Sequence, residues 1–497
     1  MPARRTRLTP ESAHGQLAAA LAALRAEAEV PSGFTEAALA EAAHAAENPP
    51  RPSLDLREIP FVTLDPPGAQ DLDQALHLES DPESADGSGW IARYAIADLP
   101  GFVRPGGAID AEARERGQTL YLPDGKVPLH PEILSENHAS LLPEQDRSAF
   151  VWTIRLNAAG ATTAAHVERA MVRSRAKLDY PAAQAAIDRG EEQGPLALLP
   201  VIGELRIAQE RLRGGASLNL PDEEIVRDES GYRIERRFPL PVEEWNAQLS
   251  LLVGIAAGEM MLEAGIGILR TMPAPTPEAL AEFRERVAAL GHPWPEDQAY
   301  GEFLRSFDRE DPITASILIA ASGLFRGADY APFTDSPPEE PIQAAIAAPY
   351  AHVTAPLRRL VDRWGLVICE AICAGTPVPE WASSSLAELP ALMRASSQLA
   401  SRVGSAALDR VEAALLRDRV GDVLDATVLE VRGDRARIQI SDPPVTTNCP
   451  AGPLVAGGAA RVRVVAADVP SGKVEVVGAV GVVGVAEVAE AAPESAG

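Results

Sequence analysis

Three aspartates set close together are the side chains in this sequence best suited to chemistry. They lie in the stretch from Phe61 to Glu79, which contains Asp65, Asp71 and Asp73. Phe61 to Leu64 is a short apolar run with two β-branched members, Val62 and Thr63, and reads as a strand. It ends at Asp65, where Pro66-Pro67-Gly68 forces a turn. A second extended run is expected from Asp71, and its period of two places Asp71 and Asp73 on one face and Leu72 and Leu76 on the other. Three carboxylates would then converge around one turn. Crowded carboxylates repel and raise each other's pKa unless a cation neutralises them, and hard oxygen ligands suit Mg²⁺ or Mn²⁺. A solvated acidic loop would contain the same residues, so this stretch alone leaves both readings open.

Two other uses of such a stretch fit poorly. The Asp-Leu-Asp core also occurs in the nucleophile motif of haloacid-dehalogenase-type phosphatases, where it follows directly on a buried apolar strand; here polar Gly68-Ala69-Gln70 precedes it. An EF-hand loop would need a glycine and a closing glutamate at spacings that are missing.

The second informative stretch is 349–374, which contains His352-Val353-Thr354-Ala355-Pro356-Leu357-Arg358-Arg359 before an apolar helical run. Pro356 is predicted at the first turn of a helix. Arg358 and Arg359 would then lie where free backbone N–H groups and guanidinium forks welcome a phosphate. The alternative is that either arginine pairs with Asp362 at helical spacing.

These residues must be held by a large scaffold. At 497 residues the chain is expected to form two to four domains. Its composition, 46% hydrophobic and 23% charged, is that of a soluble globular protein. No apolar stretch reads as a membrane span, and the basic N-terminus lacks the apolar core of a secretory signal, so the cytoplasm is the expected compartment. The three cysteines, Cys369, Cys373 and Cys449, have neither zinc-knuckle nor redox spacing and are expected to be inert thiols. A net charge of −26 argues against a protein that coats nucleic acid by bulk electrostatics, though not against an enzyme with a local basic groove. Arginine greatly outnumbers lysine, which suits phosphate recognition but also follows from a GC-rich genome.

Residues 1–50 read as a small α-helical module. It is either a helix-turn-helix that contacts nucleic acid or a cap on the main domain, and few basic residues on its second helix weigh against binding. Residues 51–417 combine strands (around 90–99, 118–122, 150–156 and 164–172) with helices at 181–189, 199–213, 243–264, 277–290 and 313–325, an α/β domain with a mixed sheet and packed helices. Residues 418–480 carry short β runs of an all-β barrel of the OB-fold type. This module contains no Phe, Tyr, Trp or His, hence no base-stacking platform. Arg432, Arg435, Arg437, Arg461 and Arg463 could still track a phosphate backbone. The Ala/Val/Glu stretch 481–497 is expected to be a disordered tail.

In this order the motifs resemble the RNase II (RNB) family of hydrolytic 3′→5′ exoribonucleases. Val62-Thr63-Leu64-Asp65 with Asp71-Leu72-Asp73 resembles the family's metal motif. Tyr94-Ala95-Ile96-Ala97-Asp98 is similar to its next strand. Arg116-Gly117, Thr119, Tyr121-Leu122-Pro123 and Ser140-Leu141-Leu142-Pro143 resemble the segment after it. Arg173 to Tyr180 resembles the segment bearing a base-stacking tyrosine, and His352 to Arg359 the signature near the end of the catalytic domain.

The resemblance implies a metal-dependent enzyme that shortens single-stranded RNA from its 3′ end to 5′-mononucleotides. It implies Mg²⁺ (or Mn²⁺) held by Asp65, Asp71, Asp73 and Gln74, with Asp73 and Arg358 catalytic. RNA contacts are implied for Tyr180, His352, Thr354, Arg358 and Arg359, and a monomer is expected. Four departures stand out. Gln74 replaces the family's usual fourth aspartate, so weaker metal binding is expected. Leu360 stands where an aromatic is typical. No glutamate can be assigned to the family's position in the helix around 395–416. Helices, not the usual pair of cold-shock barrels, precede the catalytic domain, so weaker anchoring of the distal strand or better tolerance of structured RNA is expected. The rival reading is a catalytically silenced RNA-binding protein; a DNA-binding regulator fits the charge less well.

Overall fold

The computed structural model describes residues 12–84, 87–191, 194–216, 222–228, 231–308, 312–324 and 326–479. The tail expected from 481 onward lies outside them. The described chain opens with α1 (Ser12–Glu27) and α2 (Glu36–Glu47). The Thr35 hydroxyl caps α2 by accepting from Ala38 N–H at 3.2 Å. Thr35 also donates through its N–H and hydroxyl to Glu112, each at 2.7 Å, which ties the start of α2 to the body of the protein.

The strands that follow are β1 (Phe61–Asp65), β2 (Gln74–Asp81), β3 (Gly89–Ala97), the small hairpin β4 (Leu120–Leu122) and β5 (Gly125–Val127), β6 (Asp146–Leu156) and β7 (Thr162–Asp179). Between β3 and β4 runs α3 (Ala108–Arg116). The expected mixed sheet closes into a barrel in the order β1-β2-β3-β6-β7. Closure depends on the length of β7. Its first part pairs antiparallel with β6, and from Ser174 onward it pairs parallel with β1, ending with Asp65 opposite Asp179. Alternation sorts the strands by face. Val62, Leu64, Leu76, Tyr94, Ile96, Phe150 and Trp152 pack in the large core shared with the helices, whereas Phe61, Ala75, Ala95, Ala97 and Val151 pack in a second core with Ala42 and Ala46 of α2.

The helices follow: α4 (Tyr180–Asp188), α5 (Pro195–Arg213), the hairpin β8 (Asp222–Asp228) and β9 (Gly231–Arg237), and α6 (Pro241–Ala264). By length and composition α6 is apolar enough to cross a membrane, contrary to the expectation that no apolar stretch reads as a span. Here it is a core helix, with Leu249, Leu252, Val253, Ala257 and Met261 buried in the large core. Next come β10 (Ile266–Thr271), α7 (Pro277–Ala289), α8 (Tyr300–Arg305), α9 (Pro312–Ser322) and β11 (Asp329–Thr334), with a separate core around Phe283, Trp294 and Phe303. Two short strands, β12 (Ile342–Gln343) and β13 (Ala348–Pro349), lead to α10 (Asp362–Ala374), α11 (Glu380–Ser385) and the long α12 (Leu389–Leu416).

The C-terminal module has β14 (Val423–Arg432), β15 (Arg435–Ile440), β16 (Val445–Pro450), β17 (Ala459–Asp468) and β18 (Lys473–Gly478) in the antiparallel order β16-β15-β14-β17-β18. The edge strands β16 and β18 approach each other and nearly close the barrel. Thr446-Thr447-Asn448 hides the alternation of β16 in the sequence. One core joins this module to Val403, Ala407 and Val411 of α12 and to Leu17, Leu21 and Leu24 of α1.

Two glycines of α6 let an irregular segment run against the helix backbone. Ala351 N–H donates to Gly254 O at 2.9 Å. A Cβ on Gly258 would stand 2.9 Å from the Tyr350 nitrogen and 3.0 Å from the Pro349 carbonyl carbon. Those are backbone atoms, so Gly258→Ala must displace the segment that leads to His352 and Arg358. The expected outcome is a net loss of about 1–3 kcal/mol in urea unfolding despite alanine's better helix propensity; unchanged stability would refute the close-approach account.

Candidate active site

Asp65 ends β1 because Pro66 and Pro67 carry no N–H to continue the ladder, and Gly68 turns the chain with φ +83°. The second strand begins at Gln74, three residues later than expected, so Asp71, Leu72 and Asp73 lie in an irregular segment. The expected alternation survives there for another reason. Leu72 is anchored by its own backbone: its N–H donates to Ser140 Oγ at 3.0 Å and its carbonyl accepts from Leu141 N–H at 3.0 Å. Leu72 is fully buried in the second core.

The arginine segment departs from expectation. The helix starts at Asp362, and residues 356–361 form turns. The backbone here is spent on pairing with residues 117–119: Thr119 N–H donates to Arg358 O and Leu360 N–H to Gly117 O, both at 3.0 Å. Arg358 and Arg359 therefore do not sit in a helical first turn, and the helix-terminus argument for phosphate binding does not apply to them. Arg359 instead makes the ion pair foreseen as the alternative. Its Nε and one terminal nitrogen reach the two Asp362 oxygens at 3.0 and 2.9 Å, while Asp362 Oδ1 also accepts from Ala355 N–H at 2.7 Å.

Arg358 goes to the aspartates. Its Nε stands 3.5 Å from Asp73 Oδ2, and its side chain is 46% exposed against 6% for Asp73. Leu357 N–H donates to Asp73 Oδ1 at 2.8 Å. Despite these partners, burial pushes the Asp73 carboxyl up to about 8, with Asp362 and Asp71 adding repulsion. Burial likewise raises Asp65 to about 6, opposed by Lys177 and reinforced by Asp71. Its Oδ2 is buried without a hydrogen-bond partner. Asp71 is held by the β4–β5 hairpin: Lys126 Nζ is 3.1 Å from Oδ1, and the Tyr121 hydroxyl donates to Oδ2 at 3.2 Å. Lys126 also pairs with Glu136 at 2.9 Å.

The remaining candidates are placed as follows. Gln74 donates from Nε2 to Thr354 O at 2.7 Å and accepts the Tyr94 hydroxyl at Oε1 at 2.5 Å. Thr354 is buried, with its hydroxyl 3.0 Å from Ser250 Oγ. Tyr180 opens α4 because Asp179 caps that helix, accepting from Ala182 N–H at 2.8 Å. The half-buried Tyr180 ring is steadied by Asn246, whose Nδ2 donates to the Tyr180 hydroxyl at 3.2 Å. His352 faces away, with Nδ1 2.7 Å from the Tyr330 hydroxyl; burial pushes its pKa well below the usual imidazole range. The structure thus groups Asp65, Asp71, Asp73 and Arg358, with Gln74, Thr354 and Tyr180 beside them, and turns Arg359 and His352 to structural bonds. Glu412 of α12 accepts from Thr446 N–H at 2.9 Å and so serves the C-terminal module.

Lys126, Lys177 and Asn246 were missed as site residues. The first two were detectable: the chain has only three lysines, Lys126, Lys177 and Lys473, among 45 basic residues. Among the described residues no three His, Cys, Asp or Glu side chains form a ready cage for a metal. The donor set nonetheless fits a hydrated hard cation. Mg²⁺ commonly binds through one or two carboxylates and keeps its waters, and the unpartnered Asp65 oxygen and the reluctant ionisation of Asp65 and Asp73 are what an added positive charge would relieve.

A family model described as the RNB domain matches residues 53–368, and one described as the RNase II-type exonuclease C-terminal S1 domain matches residues 422–479. The chain is 30% identical over 327 residues to ribonuclease R of Escherichia coli, covering 62% of this chain and 39% of that protein. It is 30% identical over 329 residues to the probable exosome complex exonuclease RRP44 of Caenorhabditis elegans, covering 63% and 34%. The chain thus aligns with little more than a third of these relatives' length. Its fold is that of Mycoplasma genitalium RNase R, solved in complex with ribose-methylated single-stranded RNA: TM-score 0.83 at 17% identity, over 93% of this chain and 78% of that one.

The raised carboxylates predict how the metal-free protein responds to pH. Between the unfolded value of 3.8 and the folded values of about 6 and 8, the folded state binds more protons than the unfolded state. These groups therefore favour folding below pH 4 and lose that contribution as pH rises through 6 and 8. Mg²⁺ should raise the melting temperature by several degrees at pH 8 and by much less at pH 5. Asp73→Asn should flatten the difference. An equal metal effect at both pH values would contradict the assignment.

Proposed function

The chain belongs to the RNB family, and from that premise we propose that it is a hydrolytic, metal-dependent 3′→5′ exoribonuclease that degrades single-stranded RNA to 5′-mononucleotides. The observation that carries the reading is the junction of Asp73 with the Arg358 turn. A buried carboxylate and a half-exposed guanidinium are fixed against each other by the Leu357 N–H bond of 2.8 Å and the 3.5 Å ion pair.

Asp65, Asp71 and Asp73 would hold Mg²⁺ or Mn²⁺, whose chemistry is to acidify a water and to neutralise charge on phosphate oxygens. The protein's own part is positioning. Arg358 lines a pocket with Gln118, Thr119 and Tyr121, so its guanidinium can fork onto a phosphate while Asp73 fixes the other edge. That contact strengthens as charge builds on the phosphoryl oxygens. The Tyr180 ring would stack on a base near the 3′ end, a contact indifferent to sequence because every base has a π-face. Asn246 keeps that ring from rotating away by holding its hydroxyl. Arg359 lines the same pocket, and its pairing with Asp362 keeps the turn in shape.

The test is a 5′-labelled single-stranded oligoribonucleotide incubated with the protein and Mg²⁺, beside EDTA, the matching oligodeoxynucleotide and Asp73→Asn. The expected result is a ladder shortening from the 3′ end, absent in EDTA and in the variant. Arg358→Ala should slow single-turnover cleavage about 10²–10³-fold while weakening RNA binding far less. A retarded RNA band that never shortens would replace the proposal with a binding protein built on a silenced nuclease.

A further inference from the structure

We propose that Gln74 is a positioning residue, not a metal ligand: it fastens the turn that carries Arg358 to the acidic segment. This rests on the reading of the site as an RNA hydrolase. The geometry leaves the Gln74 amide little freedom. Thr354 offers a backbone carbonyl, which can only accept, so the atom 2.7 Å from it must be the Gln74 nitrogen. Oε1 then faces Tyr94, whose hydroxyl donates to it at 2.5 Å. Tyr94 is buried and cannot easily follow a displaced partner. The two bonds fix the orientation of the amide from both ends, so a cation could reach Gln74 only through the second lone pair of an Oε1 already turned toward Tyr94.

The two bonds have a mechanical consequence. Asp73 grips Leu357 N–H and Gln74 grips Thr354 O, so consecutive residues hold both ends of the short segment Thr354 to Leu357. The Thr354 side chain is meanwhile held by Ser250, 3.0 Å away. Arg358 follows directly on this doubly clamped segment, and its reach to Asp73 is set by it. A glutamine is the residue type this clamp requires. A glutamate at 74 would place a carboxylate oxygen against the Thr354 carbonyl and push the segment away, and an aspartate, one methylene shorter, would fall short of that carbonyl and leave the segment unfastened. What looks like a lost ligand is therefore a gained fastening.

Four full-length proteins distinguish the roles: wild type, Gln74→Ala, Gln74→Asp and Tyr94→Phe, the last removing only the hydroxyl that steadies Oε1. Mn²⁺ binding is followed by electron paramagnetic resonance, RNA binding and single-turnover shortening are measured separately, and hydrogen exchange is followed across residues 354–358. For Gln74→Ala we expect Mn²⁺ affinity within about twofold of wild type, RNA affinity within about threefold, a shortening rate at saturating metal lower by 10-fold or more, and faster exchange at 354–358. Gln74→Asp should lose rate at least as much, and Tyr94→Phe should fall between wild type and Gln74→Ala. The proposal is overturned if Gln74→Ala weakens Mn²⁺ binding 10-fold and excess metal restores its rate, or if Gln74→Asp tightens Mn²⁺ and speeds shortening. If the wild type does not shorten RNA at all, the hydrolase reading fails by itself. Exchange at 354–358 and Mn²⁺ affinity then still decide whether Gln74 clamps or ligates.

Discussion

Bringing like charges together out of water is the cost to which the rest of this site answers. Asp65, Asp71 and Asp73 each face a cation of the protein itself: Lys177 acts on Asp65, Lys126 pairs with Asp71 and Arg358 with Asp73. On formal charge the set balances. It does not balance in free energy, because burial still lifts Asp65 to about 6 and Asp73 to about 8. A side-chain cation at the rim offsets Coulomb repulsion but does not replace the hydration a buried oxygen has lost. Two of these three cations are lysines, in a chain with only three lysines, and each is shared: Lys177 also donates to the Ala69 carbonyl and Lys126 also pairs with Glu136.

The scaffold exists to bring those cations in from distant parts of the chain. The parallel pairing of β1 with β7 sets Thr63 opposite Lys177 and Asp65 opposite Asp179, so closing the barrel also delivers a lysine to one aspartate and the cap of the Tyr180 helix to its neighbour. The β4–β5 hairpin delivers Lys126 and Tyr121. Its tip is fixed in turn by Arg25 of α1, which pairs with Asp124 at 2.7 Å. The N-terminal helices therefore act, whatever else they do, as a brace two contacts away from Asp71. The arginine turn is set from behind by the small-residue face of α6 and from the side by residues 117–119.

How much of this could be read from sequence follows from the range of the forces involved. Strands such as β3 and β6 and helices such as α5 and α6 were legible because apolar periodicity is local and nothing opposes it. The late start of β2 and of α10 was not. In both cases the backbone groups that would have continued a strand or begun a helix are captured by residues far away in the chain: Leu72 by Ser140 and Leu141, Arg358 and Leu360 by Gly117 and Thr119. The aspartates and Arg358 were identifiable from type and spacing joined to a family pattern. Which of two adjacent arginines meets the aspartates was not fixed by spacing, since Asp362 competes for both and its capture of Arg359 depends on Ala355 presenting its N–H to the same carboxylate. Gln74 was legible as a substitution but not as a bond, because its partners, Tyr94 and Thr354, lie 20 and 280 residues away.

The overall charge bears on how such a site would hold RNA. At −26 the chain repels a polyanion at long range. The C-terminal module reverses this only in part, since two of the five arginines on its strands are offset, Arg432 by Glu430 at 2.7 Å and Arg461 by Asp425 at 3.4 Å. Under the proposed function, affinity must come from short-range contacts at the chain end: a guanidinium on one phosphate, a ring on one base, and carboxylates made neutral by a bound cation. For an enzyme that removes one nucleotide and then moves its substrate forward by one, that division is coherent. Contacts along the distal strand must break and reform at every step, so a deep electrostatic well there would slow advance, whereas contacts confined to the terminal nucleotide are lost together with the product.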